Sequence, residues 1–455
     1  MVNQIGLEIH GYLDTKEKLF CNCINKTEKP NTNICPICTG QPGSKPMLPN
    51  KEAIKKSIQI ALMLKTKINT IEKNKKLVWQ RKHYDWPDLP KGYQNTLSGT
   101  YATPIGSVGK FLGIRIRELH LEEDPASWNP ENGCIDYNRS GSPLIEIVTE
   151  PDFSSSEQVS NWLKQLIITL SYIKAINKTS GIKADVNVNI NGISERTEIK
   201  NVNSISEIVK AIEYELHRHK KEPPKKQETR RWDSKSGKTQ PMRLKETHAD
   251  YRFISDPDLP VIRISNSEVK SIESELPESP QEKLSKLVRK HKIPEKHAKT
   301  LSKNLEIVEF FEEIIREINP LFALNWVTIE LLRVLNYNKK SLDEVEIDVT
   351  HFKELLKLIE KGKITELKAK QILNKFIPKS FSPEKELRSS GRITDKKELT
   401  RLVNKVISKN KKAVSDYKAG EKSAFNFLMG EIMKLSNRRA DYKSSMEILK
   451  KLLEK

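Results

Sequence analysis

The chain has 455 residues, 36% hydrophobic and 31% charged, and its 80 Lys and Arg against 60 Asp and Glu give a net charge of +20. No apolar run approaches the roughly 20 residues that a membrane span needs, so we expect no membrane segment. The N-terminus has no basic stretch followed by an apolar one, and we therefore expect a cytoplasmic protein. The positive charge favours a polyanionic partner, although a generally Lys-rich proteome would give the same composition.

The first predicted strand covers residues 5–10 and carries Glu8 and His10 among Ile and Leu, and two more acidic patches follow at 120–124 and 144–150. Side chains alternate across a strand, so Glu8 and His10 share one face, and Glu146 and Glu150 share another. A buried carboxylate is costly unless it is paired or binds a metal. In so basic a chain this cluster predicts a Mg²⁺ site that handles phosphates, and pairing of each Glu with a Lys or Arg is the alternative.

Four of the five cysteines form two close pairs, Cys21 with Cys23 and Cys35 with Cys38, whereas Cys134 stands alone. Two such pairs across a short loop are typical of a structural tetrathiolate zinc site. Disulfides are the competing interpretation, which a cytoplasmic location disfavours. A four-sulfur site has no open position, so this zinc would be structural.

The next elements are a predicted amphipathic helix over residues 157–176 and a β-branched strand over 185–190. Residues 217–243 are polar and rich in Lys and Pro, which predicts an exposed loop or mobile insert. This stretch contains Gly237-Lys238-Thr239, but Trp232 stands where a phosphate-binding loop requires glycine. We therefore expect any ATP pocket to be of another kind.

From about residue 270 onward, apolar residues follow the 3.6-residue spacing of helices. The clearest groups are Ile307, Phe310, Phe311, Ile314, Ile315 and Ile318; Leu399, Leu402, Val403, Val406 and Ile407; and Phe425, Leu428, Met429, Ile432 and Met433. Pro378, Ser380 and Pro383 indicate a hinge. We predict an α+β protein, with a mixed α/β domain on a largely antiparallel sheet (1–267), a helical domain (268–379) and a helical tail (380–455).

Ordered motifs along nearly the whole chain resemble the GatB family, the B subunits of the glutamyl/aspartyl-tRNA(Gln/Asn) amidotransferases. In the first third these are IGLEIH at 5–10, PNTNICPICTGQPG at 30–43, RKHYDWPDLPKGYQ at 81–94, HLEED at 120–124 and DYNRSGSPLIEIVTEPD at 136–152. They continue with RTEIKNVNS at 196–204, ETRRWDSKSGKT at 228–239, DYRFISDPDLP at 250–260 and KKAVSDYKAGEKSAFNFLMGEIMK at 411–434.

The resemblance implies a glutamine-hydrolysing carbon–nitrogen ligase of protein biosynthesis. With ATP and Mg²⁺, the side-chain carboxylate of Glu on the glutamine tRNA, or of Asp on the asparagine tRNA, would be phosphorylated, and ammonia would then displace phosphate. The ammonia would come from a separate amidase (A) subunit, which forms a heterotrimer with this chain and a small (C) subunit. Residues 1–267 would be the cradle-like catalytic domain, and the tail would bind the tRNA body.

The resemblance also implies which residues act, and these lie in the first domain: Glu8, His10, Lys82, Glu123, Glu146 and Asp185. Of these, His10, Glu123 and Glu146 match the positions expected to hold Mg²⁺. Lys82 and the neighbouring Arg81 are suited to neutralise phosphate oxygens of ATP. Glu198 and Lys200 share a strand face and are expected to line the same pocket. Arg139 is expected to contact either phosphate or Glu150.

One stretch departs from the family pattern. Bacterial members commonly carry Glu-Glu-Gly-Ser-Leu-Arg before the position of Asp185, whereas residues 178–183 here read KTSGIK. The archaeal E subunit has a comparable stretch and is the closest alternative, but 455 residues leave no room for its large inserted domain. Two other classes of function stay open: a non-catalytic, zinc-containing RNA-binding adaptor, and a metal-dependent nuclease or phosphatase.

Overall fold

The computed structural model describes residues 2–26, 28–84, 86–177, 182–242, 252–386, 393 and 395–454. The chain divides into two compact units, residues 1–279 and 280–455. None of the helices in these described ranges is long and apolar enough to cross a membrane.

The first unit combines fourteen described strands with four α-helices. The strands are β1 (Asn3–Tyr12), β2 (Lys67–Ile68), β3 (Gln80–His83), β4 (Tyr93–Thr96), β5 (Gly106–Phe111), β6 (Ile114–Glu123), β7 (Ser127–Trp128), β8 (Ile135–Asp136), β9 (Pro143–Thr149), β10 (Ile182–Ile190), β11 (Thr197–Val202), β12 (Glu228–Asp233), β13 (Lys238–Pro241) and β14 (Arg252–Ser255). The helices are α1 (Lys51–Met63), α2 (Ser156–Tyr172), α3 (Ile205–Lys221) and α4 (Asn266–Ser274), with a 3₁₀ turn at Ile71–Lys73.

Twelve of these strands form one sheet in the order β13-β12-β11-β10-β1-β9-β6-β4-β3-β14, with β5 paired to β6 and β2 paired to β5. Strands β7 and β8 form a separate pair. In the described part of the sheet all neighbours are antiparallel except β11 and β12, which are parallel. The predicted α+β class with a largely antiparallel sheet is therefore confirmed.

The central strands have one apolar and one polar face, because side chains alternate along a strand. On β1, Ile5, Leu7 and Ile9 are buried in the core, whereas Glu8 and His10 are half-buried on the other face. Helices α1, α2 and α3 contribute to the same core cluster as these Ile and Leu side chains. The helices therefore cover the apolar face, and we call the polar face the open face.

The predicted loop over residues 217–243 was wrong for most of its length. Helix α3 extends to Lys221, and β12 and β13 form a hairpin that ends the sheet, with Gly237 at φ +63° in the turn between them. A hairpin at a sheet edge buries little apolar surface and avoids aggregation through charged side chains, so its sequence is as polar as that of a loop.

The second unit is helical throughout its described residues. Its helices are α5 (Pro280–Arg289), α6 (Glu295–Leu301), α7 (Leu305–Ile314), α8 (Pro320–Asn325), α9 (Leu332–Tyr337), α10 (Val349–Glu360), α11 (Glu366–Asn374), α12 (Lys396–Lys409), α13 (Lys411–Lys418), α14 (Lys422–Leu435) and α15 (Tyr442–Leu453). A π-helical segment, Trp326–Leu331, joins α8 to α9, and 3₁₀ turns lie at Leu342–Glu344 and Pro383–Glu386.

The three predicted apolar stripes lie on helices α7, α12 and α14, except that Ile315 and Ile318 follow the end of α7, and most of their members are buried. Helices α12, α14 and α15 share a hydrophobic cluster that includes Leu399, Leu428 and Leu449. The observed division at 279/280 leaves α4 with the sheet, where Ile272 joins the core, rather than with the helical part as predicted. The predicted boundary at residue 380 stays a prediction.

Candidate active site on the open face of the sheet

Polar side chains from four central strands lie in rows across the open face. In one row, His120 on β6 is opposite Glu146 on β9, Glu146 is opposite His10 on β1, and His10 is opposite Lys183 on β10. Neighbouring strands are about 4.8 Å apart, so side chains in one row are within reach of one another. The sheet therefore brings together residues from positions 10, 120, 146 and 183.

Three of these side chains form a group that we call the central group: His10, Glu122 and Glu146. One ligand atom from each lies within 4.8 Å of the others. Glu146 Oε2 is 3.6 Å from His10 Nε2 and 2.9 Å from His120 Nε2. His120 is buried and lies 3.9 Å from Glu122, so it flanks the group on the same face.

The charges of the central group favour added positive charge. Burial lowers the pKa of His10, but Glu146 outweighs it and raises the pKa to about 9. Burial would raise the pKa of Glu146, yet the nearby His120 and His10 hold it well below its usual range. Burial and Glu146 raise the pKa of Glu122 against the opposing effect of Lys82 and the two histidines. Glu146 therefore favours positive charge on its two histidine neighbours.

The structure places Glu123 outside the central group, in contrast to the expectation that it would lie with His10 and Glu146. Glu123 follows the alternation of Leu119 and Leu121, away from the open face. Its carboxylate forms an ion pair with Lys91 and accepts a hydrogen bond from the Asn95 amide at 2.9 Å. The same alternation, applied to residues 120–123, would have selected Glu122 in its place.

A second group, which we call the flanking group, consists of Glu8, Asp185 and Glu198. The Lys200 ammonium lies 2.6 Å from Asp185 and 2.5 Å from Glu198, and Asn187 donates to Glu8 at 3.1 Å. The predicted pocket residues on β1, β10 and β11 are thus brought together. One ammonium among three carboxylates already supplies a fixed positive charge where a cation would otherwise bind.

The predicted basic residues have different surroundings. Lys82 lies close enough to Glu122 to oppose the burial and the Glu146 charge that raise the pKa of Glu122. Arg81, the next residue along the strand, forms ion pairs with Asp256 at 2.9 Å and with Asp258 at 3.0 Å. Side chains alternate along β3, so Arg81 and Lys82 lie on opposite faces of the sheet.

Arg139 contacts Asp124 at 2.8 Å, and Glu150 instead pairs with Arg117 at 3.0 Å. The alternative that paired Arg139 with Glu150 was therefore wrong. Of the departing stretch 178–183, residues 178–181 lie outside the described residues, whereas Ile182 and Lys183 begin β10.

A third set of metal-type ligands lies at the edge of the sheet, where α3 packs against it. This buried group consists of Glu215, His219 and Glu228. Arg218 pairs with both glutamates, 2.7 Å from Glu215, and Arg230 lies 3.5 Å from Glu215. Two guanidinium groups already neutralise its carboxylates, so this group joins helix to sheet.

The four clustered cysteines form the cysteine group, whose sulfur atoms lie within 4.8 Å of one another. Cys35 and Cys38 Sγ are 3.9 Å apart, and a tetrahedral zinc site with Zn–S bonds of about 2.3 Å places sulfurs about 3.8 Å apart. The Cys35 amide donates to Cys38 Sγ at 3.2 Å, and Lys18 Nζ lies 3.5 Å from the same sulfur. None of the five cysteines, all of which are described, forms a disulfide, and Cys134 is exposed.

The central group also fits a metal ion. Mg²⁺ has ligands at about 2.0–2.1 Å in octahedral geometry, which places ligand atoms about 3–4 Å apart. The spacing within 4.8 Å is compatible with this geometry, with water completing the coordination. Carboxylates suit Mg²⁺ and Mn²⁺, and the imidazole of His10 extends the set towards transition metals.

Comparison with known proteins covers almost the whole chain. Residues 3–270 match the family described as the GatB/GatE catalytic domain, and residues 309–453 match the GatB domain. The B subunit of the aspartyl/glutamyl-tRNA(Asn/Gln) amidotransferase from Methanocaldococcus jannaschii is 44% identical over 471 residues, covering 99% of this chain and 98% of the relative. The protein of the same name from Methanothermobacter thermautotrophicus is 42% identical over 456 residues, covering 98% and 99%.

Proposed function

The chain belongs to the GatB family of tRNA-dependent amidotransferase B subunits, and we propose that it amidates Glu-tRNA(Gln), Asp-tRNA(Asn) or both in an ATP-dependent reaction. The observation that carries this proposal is the central group of His10, Glu122 and Glu146. Its glutamate favours positive charge on neighbouring groups, and the group lies on the open face of the sheet. The flanking group, which contains the ion pair of Asp185 with Lys200, lies beside it. Phosphoryl transfer to a carboxylate needs such a site, since it brings several negative charges together.

In this proposal the substrate carboxylate, a poor electrophile, is first phosphorylated by ATP, and ammonia then displaces phosphate. His10, Glu122 and Glu146 are the residues suited to hold Mg²⁺, which would neutralise charge on the phosphate oxygens. The carboxylates of Asp185 and Glu198 hold the Lys200 ammonium on the same face. Lys82 adds positive charge beside Glu122.

The partners that follow from this proposal are tRNA(Gln) or tRNA(Asn), a glutamine-hydrolysing amidase and a small third protein chain in a heterotrimer. A division of labour fits the open face. Its described residues named above are histidines, carboxylates and lysines suited to phosphoryl transfer, with no cysteine or serine nucleophile of the kind that glutamine hydrolysis uses. The near full-length similarity to relatives named as B subunits favours this family over the archaeal E subunit.

A transamidation assay with the assembled complex tests this function. Both misacylated tRNAs are supplied with ATP and with glutamine or ammonium chloride, and the aminoacyl products are separated after deacylation. We expect amide formation that requires ATP. Ammonium chloride should serve as the source of ammonia in place of glutamine, so that the amidase activity is not needed. Absence of amide from both tRNAs, in a complex that still hydrolyses glutamine, would contradict the proposal.

Two controls separate the alternatives. Incubation with uncharged tRNA exposes a nuclease, because it would release fragments without ATP. A non-catalytic adaptor would bind misacylated tRNA but show no tRNA-stimulated ATP hydrolysis.

We also propose that the cysteine group holds one structural zinc ion. The sulfur spacing and the Cys35 amide hydrogen bond to Cys38 support it. Elemental analysis of freshly purified, reduced protein tests it, and about one zinc per chain is expected. Protein that is fully folded with no bound metal would refute the proposal.

Helices α12 to α15 are proposed to contact the tRNA body. A groove at the junction of α12, α13 and α14 is lined by Lys409, Lys411 and Lys412 together with Asp416 and Glu421, and Phe427 is exposed at its side. Phosphate contacts need charge and reach rather than a rigid pocket, and each one lost lowers the salt dependence of binding. The groove thus has the chemistry for sequence-tolerant binding of RNA.

Deleting residues 380–455 should weaken tRNA binding at least tenfold at about 0.1 M salt and flatten the plot of log Kd against log salt. Replacing Lys409, Lys411 and Lys412 together by Gln should reproduce part of this effect in a full-length chain. The matched control replaces the exposed Lys55, Lys164 and Lys220 of the first unit by Gln. An unchanged affinity and salt slope in the deletion would assign the tail another role.

A further inference from the structure

Lys183 lies beside the central group on the open face and is not used by the chemistry described so far. It pairs with His10 in the register of β1 and β10, one strand beyond Glu146. Paired residues on neighbouring strands have Cβ atoms about 4.5–5.5 Å apart. The Cβ atom of Lys183 is therefore adjacent to that of His10, on the same face of the sheet.

The position of the Lys183 ammonium is set by Tyr12. Lys183 Nζ donates a hydrogen bond to the Tyr12 hydroxyl at 3.2 Å and lies 5.4 Å from the centre of the Tyr12 ring. The Tyr12 hydroxyl in turn donates to Asp124 Oδ2 at 2.8 Å. Tyr12 is opposite Leu144, which is opposite Glu122, so the ammonium is directed towards the row that contains Glu122.

The charge of Lys183 is not neutralised by this network. Asp124, the carboxylate that Tyr12 reaches, is already paired with Arg139 at 2.8 Å. Among the described residues, no carboxylate oxygen lies within 4.0 Å of Lys183 Nζ. An ammonium has three N–H donors and one of them is used by Tyr12, so the half-buried Lys183 keeps two donors for an anionic ligand.

We propose that Lys183 binds an anionic oxygen of the substrates at this site, with Tyr12 as the residue that positions its ammonium. The oxygen belongs either to a phosphate of the nucleotide or to the side-chain carboxylate of the aminoacyl group, since both carry the charge that an ammonium recognises. The inference rests on the proposed function and extends it to a residue in the stretch where this chain departs from the bacterial pattern.

The test compares Lys183→Met and Lys183→Arg in the assembled complex, with Lys164→Met, on the exposed side of α2, as the matched control. A charge-assisted hydrogen bond to a substrate is worth about a tenfold to hundredfold change in affinity. Steady-state amidation gives kcat and the KM values for ATP and for misacylated tRNA. Calorimetric titration with ADP and Mg²⁺ gives nucleotide affinity without turnover.

If the oxygen belongs to the nucleotide, Lys183→Met raises the KM for ATP and the Kd for ADP by at least about tenfold. If it belongs to the aminoacyl carboxylate, ADP affinity is unchanged, and kcat/KM for misacylated tRNA falls by the same factor. In both cases the affected parameter of Lys183→Arg should stay closer to wild type than that of Lys183→Met, because Arg retains the positive charge.

Tyr12→Phe should impair the same parameter less, and the double variant should be no worse than Lys183→Met, because Tyr12 acts through Lys183. Values for Lys183→Met within twofold of wild type, or equal losses in the Met and Arg variants, would overturn the inference. A wild-type complex that forms no amide at all would overturn the proposed function instead, so the two failures are distinguishable.

Discussion

Two groups in this protein contain the same ligand types, two glutamates and a histidine, yet they serve different purposes. In the buried group, Arg218 and Arg230 lie against Glu215 and Glu228, so the negative charge is neutralised within the protein. In the central group, Glu146 has two imidazoles as neighbours, and their own pKa values are raised by it. The positively charged residues around the carboxylates, rather than the carboxylates themselves, therefore distinguish a structural group from a binding site.

The physical reason lies in desolvation. A buried carboxylate loses its hydration, and only a fixed positive charge with good hydrogen bonds compensates for this loss. Arginine supplies that charge permanently, and Thr239 and His219 complete the hydrogen bonds around Glu215. The ion pairs given for His10, Glu122 and Glu146 in the described part of the chain involve histidine and no guanidinium. A metal ion can therefore replace the protons on these side chains.

The largest expected effect comes from Glu122→Gln. This substitution keeps the size of the side chain but removes a charge and replaces one accepting oxygen by a donating amide nitrogen. We expect kcat for amidation to fall by about a thousandfold, while tRNA binding and glutamine hydrolysis by the partner amidase are retained. Glu146→Gln should behave in the same way.

The matched control is the adjacent substitution Glu123→Gln, which breaks the ion pair with Lys91 on the other face of the strand. We expect it to lower the free energy of unfolding and to change kcat less than about tenfold, because no substrate contact is lost. Activity that survives in Glu122→Gln but is lost in Glu123→Gln would return the metal-binding role to Glu123, as the family resemblance implied.

The second effect concerns the buried group. Glu215→Gln leaves the guanidinium of Arg218 short of one partner in a buried site, and we expect the free energy of unfolding to fall by about 3 kcal/mol. Amidation by the folded fraction should change little. Glu213→Gln, on the exposed side of the same helix, is the matched control in urea unfolding experiments. Equal stabilities of the two variants would mean that the buried ion pairs contribute nothing net.

The same group predicts a pH dependence. Burial would raise the pKa of Glu215, but hydrogen bonds from His219, Arg218 and Thr239 lower it from 4.5 to about 2. Because the folded-state value lies below the unfolded one, the contribution is complete above pH 4.5 and is lost as pH falls towards 2. It amounts to about 3 kcal/mol. The stability difference between wild type and Glu215→Gln should therefore shrink over this interval, and a constant difference would contradict the pKa shift.

Alternation along strands allowed the open face to be predicted from the sequence in outline. Glu8 and His10 share a face as predicted, and so do Glu198 and Lys200. Glu122 was missed because the resemblance selected Glu123, although the apolar Leu119 and Leu121 mark which face of β6 is buried. Because side chains alternate along β6, Glu122 must lie on the face opposite Leu119 and Leu121, and this could have been predicted from the sequence.

Other features depend on contacts that sequence spacing does not encode. Arg81 was expected at phosphates, but Asp256 and Asp258 lie 175 and 177 residues away in sequence and are brought to it by strand β14. The edge hairpin was missed because its polar sequence resembles a loop, and only its pairing with the sheet makes it a strand. Long-range pairing, and hence partner choice, is the part that a single sequence leaves open.

The smallest expected effect on the chemistry comes from the cysteine group, which extends the comparison to a site whose negative charge needs a metal. Cys35→Ser should lower zinc content and reduce the melting temperature by several degrees, while kcat in the folded fraction stays close to wild type, because a four-sulfur site has no open coordination position for a substrate. Cys134→Ser is the matched control, since Cys134 is exposed and outside the group. Treating wild type with a chelator should lower its melting temperature to that of Cys35→Ser, because both remove the same ion. If Cys35→Ser instead abolished amidation at full zinc content and full stability, the cysteine group would take part in the chemistry, and the distinction between charge-neutralised structural groups and the open-face site would fail.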